Sequence, residues 1–157
     1  MRVGNGFDVH VFDEDKVLVL GGITIPDHAG LSGHSDGDAA AHAIADALLG
    51  AASLGDIGRH FPPTHRWAGA SSLEILRETR RLIADAGWAV GNVDVTIVAS
   101  SPRLDVHRDA MIEALSLALG TAPDRVSVKA TTTDGLGFTG RGEGIAAMAV
   151  ASVEPLG

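Results

Sequence analysis

The run Gly33-His34-Ser35-Asp36-Gly37-Asp38, followed by Ala39-Ala40-Ala41-His42-Ala43-Ile44-Ala45-Asp46-Ala47-Leu48-Leu49-Gly50, constrains the fold of this chain more than any other segment. A loop rich in Gly, Ser and Asp, from Gly30 to Gly37, feeds an alanine-rich stretch. Alanine is the strongest helix former, so Asp38 to about Leu49 reads as a helix closed near Gly50. Its small side chains let such a helix press closely against a sheet. The composition agrees: aromatic residues make up only 4% of the chain, tyrosine is absent and glycine supplies 20 of the 157 residues. With so few bulky groups, part of the apolar surface is expected to be buried between subunits.

Residues 2–12 and 17–25 read as two strands separated by the polar turn Asp13-Glu14-Asp15-Lys16, a hairpin signal. Gly55-Asp56-Ile57-Gly58 and Phe61-Pro62-Pro63 mark a long loop. Ser71 or Ser72 can cap a second helix, with Leu73, Leu76 and Ile83 on one face, ending at Gly87. Val93-Asp94-Val95-Thr96-Ile97 alternates as a strand with one buried face does. After Pro102 a third helix carries Met111, Leu115 and Ala118 and stops at Gly120. Val126-Ser127-Val128-Lys129-Ala130 alternates again, and the apolar run 145–153 reads as a buried strand. Without repeat or linker, this order predicts one domain over residues 1–157, an α/β (α+β) two-layer sandwich of a mixed sheet and helices. A chain of this length can bury a sizeable core.

Twenty acidic against twelve basic residues give a net charge of −8, which argues against a nucleic-acid surface. The absence of cysteine excludes disulfides, thiolate zinc sites and cysteine nucleophiles. The N-terminal MRVGNGFDVH lacks the apolar run of a secretory signal, and no stretch approaches the roughly 18 apolar residues of a spanning helix. A cytoplasmic protein with no membrane partner is the expectation.

The chemistry-bearing residues gather in a few places. On a strand, residues i and i+2 point to one face, so Asp8 and His10 can converge on one metal ion, with His42 completing the set from the helix. Three protein ligands on Zn²⁺ leave a fourth position open, the arrangement of a catalytic site. From spacing alone, the same residues also read as a chance Asp-x-His pair and an ordinary histidine. Asp38 and Asp46 share the helix face of His42. Asp38 reads foremost as an N-cap, while Asp46 is either the acceptor for the imidazole's other N–H or a solvated charge.

Thr131-Thr132-Thr133-Asp134 follows a strand and continues into a glycine-rich segment ending Arg141-Gly142-Glu143-Gly144. Hydroxyls can donate to phosphate oxygens, Arg141 can clamp a diphosphate, and Asp134 suits Mg²⁺; a plain flexible loop is the other reading. It is not a Walker A loop. His34 and Ser35 are phosphate donors or an ordinary turn, and Asp56 holds a ribose hydroxyl or only a turn.

Together GNGFDVHVF (4–12), GHSDGDAAAHAIADALLGAASLGDIGRHFP (33–62), GNVDVTIVASSPRL (91–104) and VKATTTDGLGFTGRGEGIAA (128–147) resemble the 2-C-methyl-D-erythritol 2,4-cyclodiphosphate synthase family over nearly the whole chain. The resemblance implies a homotrimer with active sites between neighbours. It also implies the substrate, 4-diphosphocytidyl-2-C-methyl-D-erythritol 2-phosphate, a small-molecule cytidine diphosphate. In that family the 2-phosphate attacks the β-phosphate, releasing CMP and closing a cyclic diphosphate on the non-mevalonate route to isoprenoids. Formally it is a phosphorus-oxygen lyase.

Carried onto this sequence, the resemblance assigns Zn²⁺ to Asp8, His10 and His42, and Mg²⁺ or Mn²⁺ to Asp134 with the substrate phosphates. Asp134 stands where Glu is usual, a shorter reach. His34 and Thr132 match positions that steady charge at the transition state. Ser35 matches a position beside the erythritol and 2-phosphate, and Asp56, Ile57 and Gly58 match contacts to the diol and nearby groups. Phe61, Pro62, Pro63, Thr64 and His65 align with the loop that continues that pocket. Ala99, Arg103, Leu104 and Asp105 match the segment that cradles cytosine, largely through backbone groups, and Thr131 and Thr133 are carried over as substrate-binding. Arg103 replaces a common Lys, Asp105-Val106 replaces a more apolar sequence, and Gly135 replaces a frequent Lys. Phe138 and Arg141 match residues near the trimer axis, where some members hold an isoprenoid diphosphate.

Two other functions compete with the synthase. A metal-dependent phosphohydrolase would use the same Asp/His site to activate water and release linear products. A non-catalytic trimer binding isoprenoid diphosphates would need a closed coordination shell and no turnover.

Overall fold

The computed structural model describes residues 1–157. Five strands form one sheet: β1 (Arg2–Leu20), β2 (Ile23–Leu31), β3 (Trp88–Val98), β4 (Val126–Thr131) and β5 (Gly144–Pro155), in the order β2-β1-β5-β3-β4. Only β3 and β4 run parallel; the other neighbours are antiparallel, so the sheet is mixed as expected. The helices are α1 (Ala39–Ala51), α2 (Ile57–His60), α3 (Ser72–Asp85), α4 (Arg108–Leu119) and α5 (Gly137–Gly140).

The alanine-rich helix α1 is buried on nearly every side, Asp46 and Gly50 excepted. Two glycines of β1 make this possible. A Cβ at Gly4 would lie 2.1 Å from the Ala47 carbonyl oxygen, and one at Gly6 would lie 2.0 Å from that of Ala43. The backbone of α1 therefore rests directly on the backbone of β1. Gly4, Gly6, Asp8 and His10 share the strand face turned to α1, so the strand that lets the helix in also presents two polar groups to it. Ala147, Ala149 and Ala151 of β5 continue the same buried layer.

The buried carboxylate of Asp38 joins three elements at the start of α1. It accepts hydrogen bonds from the backbone N–H groups of Gly21, Gly22 and Ala41 and from Ser72 Oγ, at 2.7–3.0 Å. The N-cap expected of it is real, and it also ties the first hairpin and α3 to α1. Of the two serines expected to cap α3, Ser71 does so, in a capping box where Ser71 and Glu74 exchange hydrogen bonds. Helix α4 ends at Gly120, as expected, where a φ of 63° is the left-handed conformation that glycine adopts without strain.

The first hairpin departs from expectation. Asp13-Glu14-Asp15-Lys16 is not its turn: β1 runs on to Leu20, and the chain reverses at Gly21-Gly22, both at positive φ. The polar quartet is absorbed as an irregularity in the ladder, where the register shifts between Asp13 and Val17. Glycine at two consecutive left-handed positions makes a tighter reversal than four charged residues can. The long loop after α1 also contains a turn of helix, α2, on which Ile57 and Gly58 lie.

Candidate active site

Asp8 Oδ2 lies 2.7 Å from His10 Nε2 and 3.1 Å from His42 Nδ1, and the two imidazole nitrogens are 3.1 Å apart. Three donor atoms so close approximate one face of a tetrahedron, whose edge would be about 3.3 Å for bonds of about 2.0 Å. Each ring is held in the tautomer that frees its converging nitrogen. His10 Nδ1 donates to the Ser32 carbonyl at 2.5 Å, so in the neutral ring Nε2 is the nitrogen left free. For His42 Nδ1 to offer a lone pair, Nε2 must carry the proton, and Ser35 Oγ stands 3.0 Å away to accept it. His42 is only 7% exposed. One carboxylate and two imidazoles, pre-aimed and short of a fourth ligand, fit a divalent metal ion.

The electrostatics agree. Burial pushes the Asp8 carboxyl up, but hydrogen bonds and charges from His10 and His42 outweigh it and hold the carboxyl at about 2. Burial pulls His10 down; the bond and charge of Asp8, with the Ser32 carbonyl, pull it above its ordinary 6.5. The carboxylate thus stays ionised until the pH falls to about 2.

Asp46 takes neither role left open for it. Its Oδ1 accepts the Ile57 backbone N–H at 2.7 Å, securing the start of α2, while Ser35 faces the outer nitrogen of His42. Burial, the largest influence on it, raises its carboxyl above the usual range. Asp56 likewise caps α2 by accepting from the Arg59 N–H at 3.0 Å.

The triad opens on a cleft of about 270 Å³ also lined by His34, Ser35, Ile57, Gly58, Phe61 and Pro63. Pro62, Thr64 and His65 belong to the same loop but not to the lining. His34 Nε2 faces the Thr64 carbonyl at 3.3 Å, and the His34 carbonyl accepts from Gly69, so this loop is strapped to the one before α1. Trp67 and Ile75 complete the wall, with the Trp67 ring edge-on to Phe61 at 4.8 Å. Sequence reasoning missed both. An indole inside a polar, proline-marked loop was the available signal for Trp67; the Ser32 carbonyl carries none.

A second cleft, of about 250 Å³, lies at the ends of β3 and β4. Ala99, Arg103, Leu104, Asp105, Thr131 and Thr132 line it. Beyond it Thr133 Oγ1 donates to the Leu136 carbonyl at 2.5 Å, and Asp134 Oδ1 accepts from Thr132 Oγ1 at 3.3 Å. Asp134 sits at φ 52°, a turn conformation that Asp tolerates better than most residues. Arg141 is engaged by Glu143, with Nε 3.0 Å from Oε1. Phe138 is partly exposed. No lining residue is common to the two clefts.

With this geometry in view, comparisons with known proteins agree on one family. The YgbB family profile matches residues 1–154. The 2-C-methyl-D-erythritol 2,4-cyclodiphosphate synthase of Methylococcus capsulatus is 58% identical over 151 residues, covering 96% of each chain. The bifunctional enzyme IspD/IspF of Erythrobacter litoralis is 54% identical over 154 residues, 98% of this chain but 40% of that longer protein. This chain therefore spans less than half of the fused relative. Among solved structures, the CDP complex of IspF from Plasmodium falciparum superposes with a TM-score of 0.85 at 35% identity, covering 99% of this chain and 97% of the other.

Proposed function

The chain belongs to the YgbB family, matched from residue 1 to residue 154, and from that premise we propose that its two clefts together form the active site of a cyclodiphosphate synthase. The activity is that of a lyase in isoprenoid biosynthesis. It converts 4-diphosphocytidyl-2-C-methyl-D-erythritol 2-phosphate to 2-C-methyl-D-erythritol 2,4-cyclodiphosphate and CMP. An oxygen of the 2-phosphate forms a bond to the β-phosphorus, and the bond from that phosphorus to the bridging oxygen breaks, CMP leaving with the electron pair. Nucleophile and leaving group both come from the substrate, so no protein nucleophile is needed and the absence of cysteine is immaterial.

The convergence of Asp8, His10 and His42 within 3.1 Å carries this reading. Zn²⁺ on that triad, and Mg²⁺ or Mn²⁺ on Asp134 with the substrate phosphates, would neutralise the diphosphate and favour in-line attack. The remaining work falls to the chain. His34 and Thr132 steady the charge that develops on the phosphoryl oxygens. Ser35 holds the His42 ring and borders the 2-phosphate. Asp56, Ile57 and Gly58, with the loop Phe61 to His65, take the erythritol. Ala99, Arg103, Leu104, Asp105, Thr131 and Thr133 take the cytidine diphosphate, the kind of ligand that the Plasmodium falciparum structure is named for. Full-length relatives named as the synthase disfavour the hydrolase and the non-catalytic trimer.

We also place the site between subunits of a homotrimer. Asp8 pairs with Ala147, Ala147 with Ile97 and Ile97 with Ala130, so three strand spacings, about 14 Å, separate the metal triad from the second cleft within one chain. One diphosphate cannot touch both, and a second copy can supply the missing half. The sheet face opposite α1 supports such an assembly. It exposes Val3, Phe7, Val9, Val11, Met148 and Val150 side by side, Phe7 at 56% and Met148 at 51%. In the trimer Phe138 and Arg141 would border the axis, where an isoprenoid diphosphate would bind. No helix is long and apolar enough to cross a membrane; that the reaction runs in the cytoplasm is part of our proposal.

His42→Ala tests the metal centre. The variant is expected to stay folded and lose both bound zinc and CMP release. Normal turnover in it would remove His42 from the site.

A further inference from the structure

His28, on β2, takes no part in the chemistry above, yet its ring is fixed on three sides. Nδ1 lies 3.0 Å from the Ala29 carbonyl. A carbonyl only accepts, so Nδ1 carries the proton and Nε2 is bare. Ser101 Oγ stands 3.1 Å from Nε2 and donates to it. The Phe12 ring packs against the imidazole at 5.1 Å between centroids.

Ser101 occupies a telling position. Ser100 and Pro102, its neighbours on either side, both line the second cleft, whereas Ser101 turns its side chain away from it toward His28. This stretch of wall has little else to hold it. The Ala99 N–H donates to the Thr131 carbonyl and the Leu104 carbonyl accepts from His107, but from Ser100 to Arg103 the backbone makes no hydrogen bond to backbone. Arg103 reaches only its near neighbour Asp105. The bond from Ser101 to His28 is the one tether that ties the middle of this wall to a different element.

We infer that His28 is a positioning residue for the base end of the substrate, latching the 100–103 wall from behind through Ser101. The inference rests on reading the second cleft as the cytidine pocket. A base read by backbone groups depends on where that backbone stands, so a wall free to shift blurs recognition of the base and leaves phosphate binding intact. His28 touches no substrate and acts only through Ser101.

The test uses the zinc- and magnesium-loaded full chain and two probes, CDP and inorganic pyrophosphate, followed by calorimetry. His28→Ala is expected to raise the Kd for CDP about 5-fold, the worth of one net hydrogen bond, and to leave pyrophosphate unchanged. Ser101→Ala should reproduce that loss, and the double variant should add nothing to it. His28→Gln, whose amide oxygen can accept from Ser101, should restore CDP binding. In turnover, KM should rise while kcat holds. Unchanged CDP affinity in His28→Ala, equal loss of both probes, or additive losses in the double variant would each overturn the latch. If the wild-type chain takes pyrophosphate but not CDP, the cytidine reading fails and the latch falls with it. If the wild type and His28→Ala bind CDP alike, the latch alone is wrong.

Discussion

At the scale of single residues, a metal ion bound at the proposed site would compete with a proton for His10 Nε2. His10 is held above 6.5 once the pull of Asp8 and Ser32 has overcome burial, so the proton competes already above that pH. Metal affinity should therefore fall as pH drops from 8 to 6, which a competition titration with a coloured chelator would follow; a flat profile would contradict the assignment. The sign for the metal-free chain is the opposite. His10 binds its proton more tightly folded than unfolded, so its contribution to stability is full below 6.5 and fades as pH rises through the folded value. Asp8, depressed to about 2, contributes above 3.8 and loses that contribution as pH falls toward 2. The convergence of Asp8, His10 and His42 was legible in the sequence because strand and helix periodicities place them on facing surfaces. The groups that fix their tautomers were not. One is a backbone carbonyl, Ser32, and the other, Ser35, took the role offered to Asp46 through a loop path that periodicity does not describe.

At the scale of elements, the seating of α1 on β1 decides where His42 points. The alanine-rich helix was evident from its composition, but the reason for it lies in Gly4 and Gly6, which a strand reading leaves as two weak positions. Gly6→Ala would drive a Cβ to 2.0 Å from the Ala43 carbonyl oxygen, one residue from His42. A backbone atom cannot swing aside as a side chain can. The substitution should cost about 3 kcal/mol in chemical denaturation and weaken metal binding with it. Unaltered stability would mean that α1 does not sit where the structure places it. The misplaced hairpin turn has a related cause: charged residues mark a turn in most sequences, whereas here two glycines hold the reversal and the charges ride on a ladder irregularity.

At the scale of the whole molecule, one chain carries two separate clefts, the proposed halves of one site, and an open apolar sheet face. If the halves meet across a subunit boundary, two crippled chains can rescue one another. His42→Ala spoils the metal half and Asp134→Ala the other. Co-assembled in equal amounts, they should regain about a quarter of wild-type activity, the share of interfaces at which both halves are intact in a random cyclic trimer. Activity no higher than the mean of the two separate variants would argue that each chain works alone. Sheet order and strand register were beyond the sequence reading, and with them the distance that separates the halves. Composition led it to expect apolar surface buried between subunits, whereas naming the exposed face required knowing that Phe7, Val9 and Met148 are neighbours.

The central claim is that these residues close a ring of phosphates. Its most direct test is to incubate the metal-loaded chain with 4-diphosphocytidyl-2-C-methyl-D-erythritol 2-phosphate and follow the products by ³¹P NMR. Stoichiometric CMP together with a cyclic diphosphate is the predicted result. Linear phosphate products, or bound substrate that never turns over, would contradict it.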